Sequence, residues 1–244
     1  MSAELENLRR DIRMRVEYDK MMSTAWLAIC LIPIILIIVT FPAMFLGWAE
    51  IIFLWPVLGI ISFIVLIVLI YKLVDRRNAH FKRQTFLMED AIKLLRKIAE
   101  EKKTSVETEL SLCERTLREA RAEETEKSAV LWAILSAVTN IATLYVCYFL
   151  MKDFYKHERR EDGFWEDISK ILSKLGISFS PPRRMNPLPN RSFILYLILS
   201  IITIGIFGIY WLYVLIKDPN EHFRYHASID EELFTTLEKA VAAA

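Results

Sequence analysis

The chain has 244 residues, 54% of them hydrophobic, and its 31 Lys and Arg against 30 Asp and Glu leave a formal net charge of +1. That balance removes any general electrostatic case for nucleic-acid binding, and three cysteines without close spacing exclude a disulfide framework or a cysteine zinc site. The apolar residues gather in blocks of roughly 20, the length that crosses a hydrocarbon core of about 30 Å, so the bilayer is the first expected partner and the expected fold is an all-α polytopic membrane protein.

Residues 1–20 alternate in charge, with Leu5, Leu8, Ile12 and Val16 at helical spacing. This predicts an amphipathic helix, either on the membrane surface or packed against the protein's own polar part. Residues 21–71 read as a transmembrane hairpin. Its first arm, 26–45, carries Pro33 and Pro42; a tight turn containing Trp48 follows; the second arm, 51–71, ends at Tyr71. Too charged a start for a signal peptide makes the first block an anchor.

Residues 72–127 are dense in Lys and Arg, which so close to membrane helices points to the cytoplasm. Two heptad runs predict an antiparallel helical hairpin that turns near Lys103, with a capping box at Thr104-Ser105-Val106-Glu107. Gln84, inside the first run, is the only glutamine, and with abundant Lys, Glu and Ile the composition leans towards that of thermophiles.

Residues 128–151 form a third apolar block with a polar middle around Thr139 and Asn140. In 152–191, Gly163 and Gly176 bracket an expected amphipathic helix, and a Pro-rich linker follows. Residues 192–216 form a fourth block. Asp218-Pro219-Asn220 is expected to break the chain before a last helix, capped by Ser228, in 217–244.

One spacing recurs: Tyr71, His80, Glu89-Asp90 and Leu95; then Tyr148, His157, Glu166-Asp167 and Leu172; then Tyr213, His222, Glu231-Glu232 and Leu237. The second and third copies also share Leu150 and Leu215, Lys152 and Lys217, Asp153 and Asp218, and Arg159 and Arg224. The expectation is an internal repeat: a membrane segment, a tyrosine at its exit, a polar junction and a helix beyond. The stretch SIITIGIFGIYWLY at 200–213 resembles a prokaryotic membrane-protein domain family of unknown function, whose signature is Ser-Ile-(Val/Ile)-Thr-x-Gly-Ile-Tyr-Gly-x-Tyr-Trp-x-Tyr, often in tandem. Phe207 stands at a usual Tyr. The resemblance implies a multi-pass membrane protein and no particular activity.

Four full crossings would place 152–191 opposite the basic hairpin. The alternative is that the third and fourth blocks are re-entrant, turning at Thr139-Asn140 and within 203–208, which keeps every basic stretch on one side.

Most frame residues have an architectural reading. The tyrosines fit an aromatic belt, and the acidic pairs fit first helical turns, except at Glu89-Asp90, which calls for a basic partner or a cation. The histidines read as separate interfacial residues hydrogen-bonded locally, since no close His/Cys cluster is evident; the alternatives are a histidine-carboxylate cation site with the nearby Asp153 and Asp218, and a pH-sensing role. No metal ligand, cofactor or catalytic residue is assigned. The apolar blocks hold no ionisable residue, against an ion-coupled transporter. Ser136, Thr139, Asn140, Thr143, Ser200 and Thr203 are candidates to line a passive pore. The function expected is a non-catalytic, multi-pass cell-membrane protein, an oligomeric scaffold or accessory subunit of a membrane assembly, with most of its polar part cytoplasmic; the alternative is an oligomeric passive channel.

Overall fold

Every regular element is a helix. The computed structural model describes residues 2–46 and 53–242, and among them there is no strand. The helices are α1 (Ser2–Arg13), α2 (Arg15–Tyr18), α3 (Ala25–Phe45), α4 (Leu54–Glu101), α5 (Glu107–Glu123), α6 (Ala129–Val138), α7 (Asn140–Lys174), α8 (Phe193–Ile202) and α9 (Ile206–Ala242). The turn expected after Leu46, Trp48 included, lies outside the described residues.

Three long helices, α4, α7 and α9, organise the chain. Each starts apolar, ends polar, and is preceded by an apolar helix folded back on it. Trp55 Nε1 donates to Thr40 Oγ1 at 3.1 Å between α3 and α4. Trp132 of α6 packs on Tyr145 and Phe149 of α7, with ring centroids 5.0 and 5.6 Å apart. Phe193 and Tyr196 of α8 meet Trp211 of α9 at 5.6 and 5.5 Å.

The third and fourth apolar blocks are therefore hairpins, not single crossing helices. With ten residues each, α6 and α8 are about 15 Å long, half a hydrocarbon core. Their polar residues make the turns. Thr139 is extended (φ −136, ψ 130), its N–H ends α6 on Leu135 O, and its Oγ1 accepts from Ala142 N–H to start α7. Ile204 and Gly205 take positive φ (49° and 89°), with Gly205 N–H on Ser200 O at 2.7 Å. Among the described residues one helix, Leu54–Glu101, is long and apolar enough to cross a membrane.

Beyond the apolar arms the polar halves of α4, α7 and α9 form a second layer with α1 and α5. Its core holds Leu8 and Ile12 of α1, Leu95 of α4, Leu110 and Leu117 of α5, Leu172 of α7 and Leu237 of α9. Thus α1 packs on the protein itself. Lys103 (φ 52°) turns the chain between α4 and α5, but α5 packs on both α4 and α7. The hairpin's heptad faces are thus buried in a multi-helix core. No side chain caps α5, so the Thr104 capping box is not formed.

Two expected breaks are absent. Gly163 lies inside α7, and Ser228 and the Asp218-Pro219-Asn220 stretch lie inside α9. The second has a specific cause. Pro219 has no N–H for the carbonyl of Leu215 four residues earlier. Arg76 of α4 supplies the donor instead: Nη2 lies 3.1 Å from Leu215 O and 3.0 Å from Ile216 O, and Nη1 lies 3.2 Å from Asn220 Oδ1. A guanidinium from a neighbouring helix thereby carries α9 through its proline.

Candidate metal centre

Because the three long helices run side by side, their histidines meet. His80 of α4, His157 of α7, and His222 and His226 of α9 are all at most 1% exposed, as is Glu161 of α7. One donor atom from each of these five residues lies within 4.8 Å of all the others. His80 Nε2 is 3.0 Å from His222 Nε2 and 3.2 Å from His157 Nε2. Glu161 Oε1 is 3.0 Å from His157 Nε2, and its Oε2 is 2.9 Å from His226 Nε2 and 3.4 Å from His222 Nε2. Phe81 stacks on His157 at 4.3 Å between ring centroids and Phe223 lies 4.5 Å from His80, within a small apolar cluster that includes Phe154 and Leu188.

The far nitrogen of every imidazole faces a further polar group. His80 Nδ1 lies 2.8 Å from Asp19 Oδ1, His157 Nδ1 2.9 Å from Glu124 Oε1, and His222 Nδ1 3.2 Å from Glu158 Oε2. His226 Nδ1 is 2.7 Å from the Gln84 amide, whose Oε1 is otherwise unpartnered, and 3.6 Å from Asp230 Oδ1. Turning that amide over puts its oxygen on the Nδ1–H. Each outer acid is in turn held by an arginine. Arg83 bridges Asp19 and Asp230, each at 2.8 Å. Arg160 binds Glu124, and Arg184 lies 3.1 Å from Glu158.

These partners decide the tautomers. A carboxylate on Nδ1 keeps the proton there and leaves Nε2 as a lone pair. The structure therefore aims four Nε2 lone pairs and a carboxylate at one buried point. Acceptors so gathered repel one another unless a cation or protons lie among them. Carboxylate-backed imidazoles converging on one point are the ligand and outer-ligand arrangement of transition-metal sites.

Protonation follows the same demand. Burial opposes a charge on His157, yet Glu124 and Glu161 outweigh it and raise its pKa to about 10. Burial likewise opposes His226, but Glu161 and Asp230 push it above the ordinary histidine value. Burial lowers His222 to about 4, and burial with three neighbouring imidazoles holds His80 far below the usual range. For Glu161, burial is outweighed by His157, His226 and His222, which bring it well below the ordinary carboxylate range. The environment thus favours positive charge beside Glu161.

The expectation of separate interfacial histidines does not hold, because His80, His157 and His222 are buried in one cluster. The sequence reading also assigned no metal ligands and passed over His226 and Glu161. Both follow a frame histidine by four residues, one helical turn. Two histidines at that spacing on one helix are a recognised ligand pair. The same position in the first copy is Gln84, which holds His226.

The other frame residues lie elsewhere. Tyr71 and Tyr148 are exposed, and Lys217 Nζ sits 5.8 Å over the half-buried Tyr213 ring. Glu89 pairs with Lys93 and Arg121, and Asp90 with Lys93. Lys170 takes Glu166 and Asp167, and Glu231 and Glu232 are exposed. Among the pore candidates, Thr143 Oγ1 donates to Ser136 O, Ser200 Oγ to Tyr196 O and Thr203 Oγ1 to Leu199 O. Thr139 caps α7, Asn140 is exposed beside it, and Ser136 is buried.

Residues 191–237, which comprise α8 and most of α9 with His222 and His226, match the family described as Domain of unknown function (DUF4234). No curated protein and no solved structure matches the chain.

Proposed function

We propose that this chain is a non-catalytic membrane scaffold or accessory subunit whose polar layer is clamped by one divalent transition-metal ion. The observation that carries the reading is the convergence of four carboxylate- or amide-backed imidazoles and Glu161 on one buried point. Five protein ligands leave little room for a substrate, and structural metal sites are closed in this way while catalytic ones keep a position open. An ion here joins α4, α7 and α9, ligands far apart in sequence, and its binding energy becomes folding energy.

The apolar hairpins lead away from this layer. In this reading α3 and α4 cross the bilayer and return, while α6–α7 and α8–α9 dip in and turn. Exposed apolar side chains crowd the turns: Val138, Ile141, Ile202, Ile204 and Ile206. Their backbone groups are met locally, as the membrane interior requires; Phe207 N–H, for instance, bonds Thr203 Oγ1 at 2.9 Å. Three hairpins entering from one side put all the basic segments together, which we place in the cytoplasm, and make the three frames repeats of one unit in one orientation. The channel alternative has less support, because the hydroxyls of Thr139, Thr143, Ser200 and Thr203 are engaged in a cap or in bonds within their own hairpins, and Ser136 is buried.

The test is metal content and heat stability of the full chain purified in detergent. One ion per chain is expected, with a fall in melting temperature of about 10 °C or more on chelation. A chain with negligible metal, unaffected by chelator and by His222→Ala, would sink the reading. For topology, a cysteine introduced at Ser178 should resist a membrane-impermeant reagent applied to intact cells; labelling from outside rejects the one-sided arrangement.

A further inference from the structure

Resting on the reading of a metal centre, the geometry points to its coordination class: we infer a six-coordinate ion bound by four imidazole nitrogens and both oxygens of Glu161, with ferrous iron as the ion chosen over zinc. The first ground is the number of donors. Five residues are too many for a tetrahedron, and structural zinc is almost always four-coordinate. The second is spacing. On a sphere of about 2.1 Å a tetrahedron separates every donor pair by about 3.4 Å, whereas an octahedron gives neighbours at about 3.0 Å and opposite pairs at about 4.2 Å. The neighbours fall at 2.9, 3.0, 3.0, 3.2 and 3.4 Å, within a set whose overall span is 4.8 Å. Most of these are shorter, and the span longer, than the single separation a tetrahedron allows, so the spacing calls for more than four donors.

The third ground is Glu161 itself. Its two oxygens face different imidazoles, Oε1 towards His157 and Oε2 towards His222 and His226. A carboxylate splayed over one point in this way chelates it. The donor chemistry then narrows the ion. No thiolate is present, since Cys113 is in the polar-layer core and Cys30 and Cys147 pack with the apolar arms. Magnesium and calcium prefer all-oxygen shells. Imidazole suits iron, nickel, copper and zinc. Of these, copper(II) and nickel(II) favour a tetragonal field and zinc four ligands, while ferrous iron accommodates a closed octahedron of mixed nitrogen and oxygen.

The experiment uses the full chain in detergent, stripped with chelator and dialysed anaerobically against equimolar ferrous and zinc salts. Metal is then counted after gel filtration, and its neighbours are counted by X-ray absorption. Raw affinity ordinarily favours zinc over ferrous iron, so the assigned geometry is what must reverse the order: we expect iron to exceed zinc at least tenfold, with six nitrogen or oxygen neighbours in the first shell. Glu161→Gln, which keeps the shape and removes the chelating charge, should cut the iron-to-zinc ratio at least tenfold. Retention of zinc with four light neighbours in the wild-type chain overturns the six-coordinate assignment while leaving a metal centre in place. Retention of neither metal overturns the metal centre itself.

Discussion

The inner and outer faces of α4, α7 and α9 carry one repeated spacing and serve opposite purposes. From each frame histidine, the residue four later returns to within about 40° of it and the residue fifteen later to within about 60°, whereas nine residues in either direction turn about 180°. Accordingly Leu95, Leu172 and Leu237, fifteen beyond, are fully buried, while Tyr71 and Tyr148, nine before, are each 41% exposed. Glu89, Glu166 and Glu231, nine beyond, also fall on the outside. A regular interval thus marks two faces of a helix, and only the inner one gathers ligands. Position four beyond is the informative one, because it faces inward and changes identity from Gln84 to Glu161 to His226.

The comparison is sharpened most strongly by acid. Both His157 and His226 have raised pKa values, His157 to about 10, so both hold protons at pH 6 that an incoming ion must displace. Metal affinity should then rise with pH, by about a hundredfold per unit near pH 6. Calorimetry in buffers of different ionisation enthalpy should register two protons released per ion. Uptake without proton release would mean that the inner face does not supply the ligands.

Next in size is Arg83→Met. Arg83 is the sole arginine bonded to both Asp19 and Asp230, and all three side chains are at most 2% exposed. Removing it takes the guanidinium from two buried carboxylates and leaves them only their histidine contacts, at about 3–5 kcal/mol. Thermal unfolding should show a fall of about 10 °C for a chain this size. Melting as in the wild type would break the contrast between the faces.

Arg76→Met should act more locally. It strips the donor from Leu215 O and Ile216 O and leaves Pro219 with a gap in its ladder, worth about 1–3 kcal/mol for buried carbonyls. Pro219→Ala restores the missing N–H and should recover part of that loss. A double-mutant cycle reads the coupling, and strict additivity rejects the bridge.

Helical content was legible because apolar periodicity is local, and so was the stretch resembling an uncharacterised domain, since its motif is contiguous. The hairpin turns were less so. Thr139-Asn140 reads equally as a polar spot within a crossing helix and as a turn, and only the back-packing of Trp132 on Tyr145 and Phe149 separates the two. The continuity of α9 through Pro219 depends on Arg76, more than a hundred positions away. For the candidate metal centre the histidine spacing was visible, but convergence depends on three helices standing parallel. Its fifth ligand was hidden because the equivalent position holds three different residues. The pair His222 and His226, one turn apart, was the signal that composition and spacing did offer.

The smallest effect is the most discriminating, because it pits two glutamates of one helix against each other. Glu161 and Glu166 lie five residues apart on α7, about 140° around it. Glu161 is fully buried among the imidazoles. Glu166 is exposed, 2.9 Å from Lys170 one turn on, an ion pair that lies in water and contributes little. Glu166→Gln should therefore shift melting by less than about 2 °C and leave the metal content unchanged, whereas Glu161→Gln, identical in chemistry, should deplete the ion. Equal responses at the two positions would mean that charge on α7, and not the face it occupies, governs the site. A response only at Glu161 ties the frame's function to its inward surface and leaves the repeated acidic pairs as solvated charge.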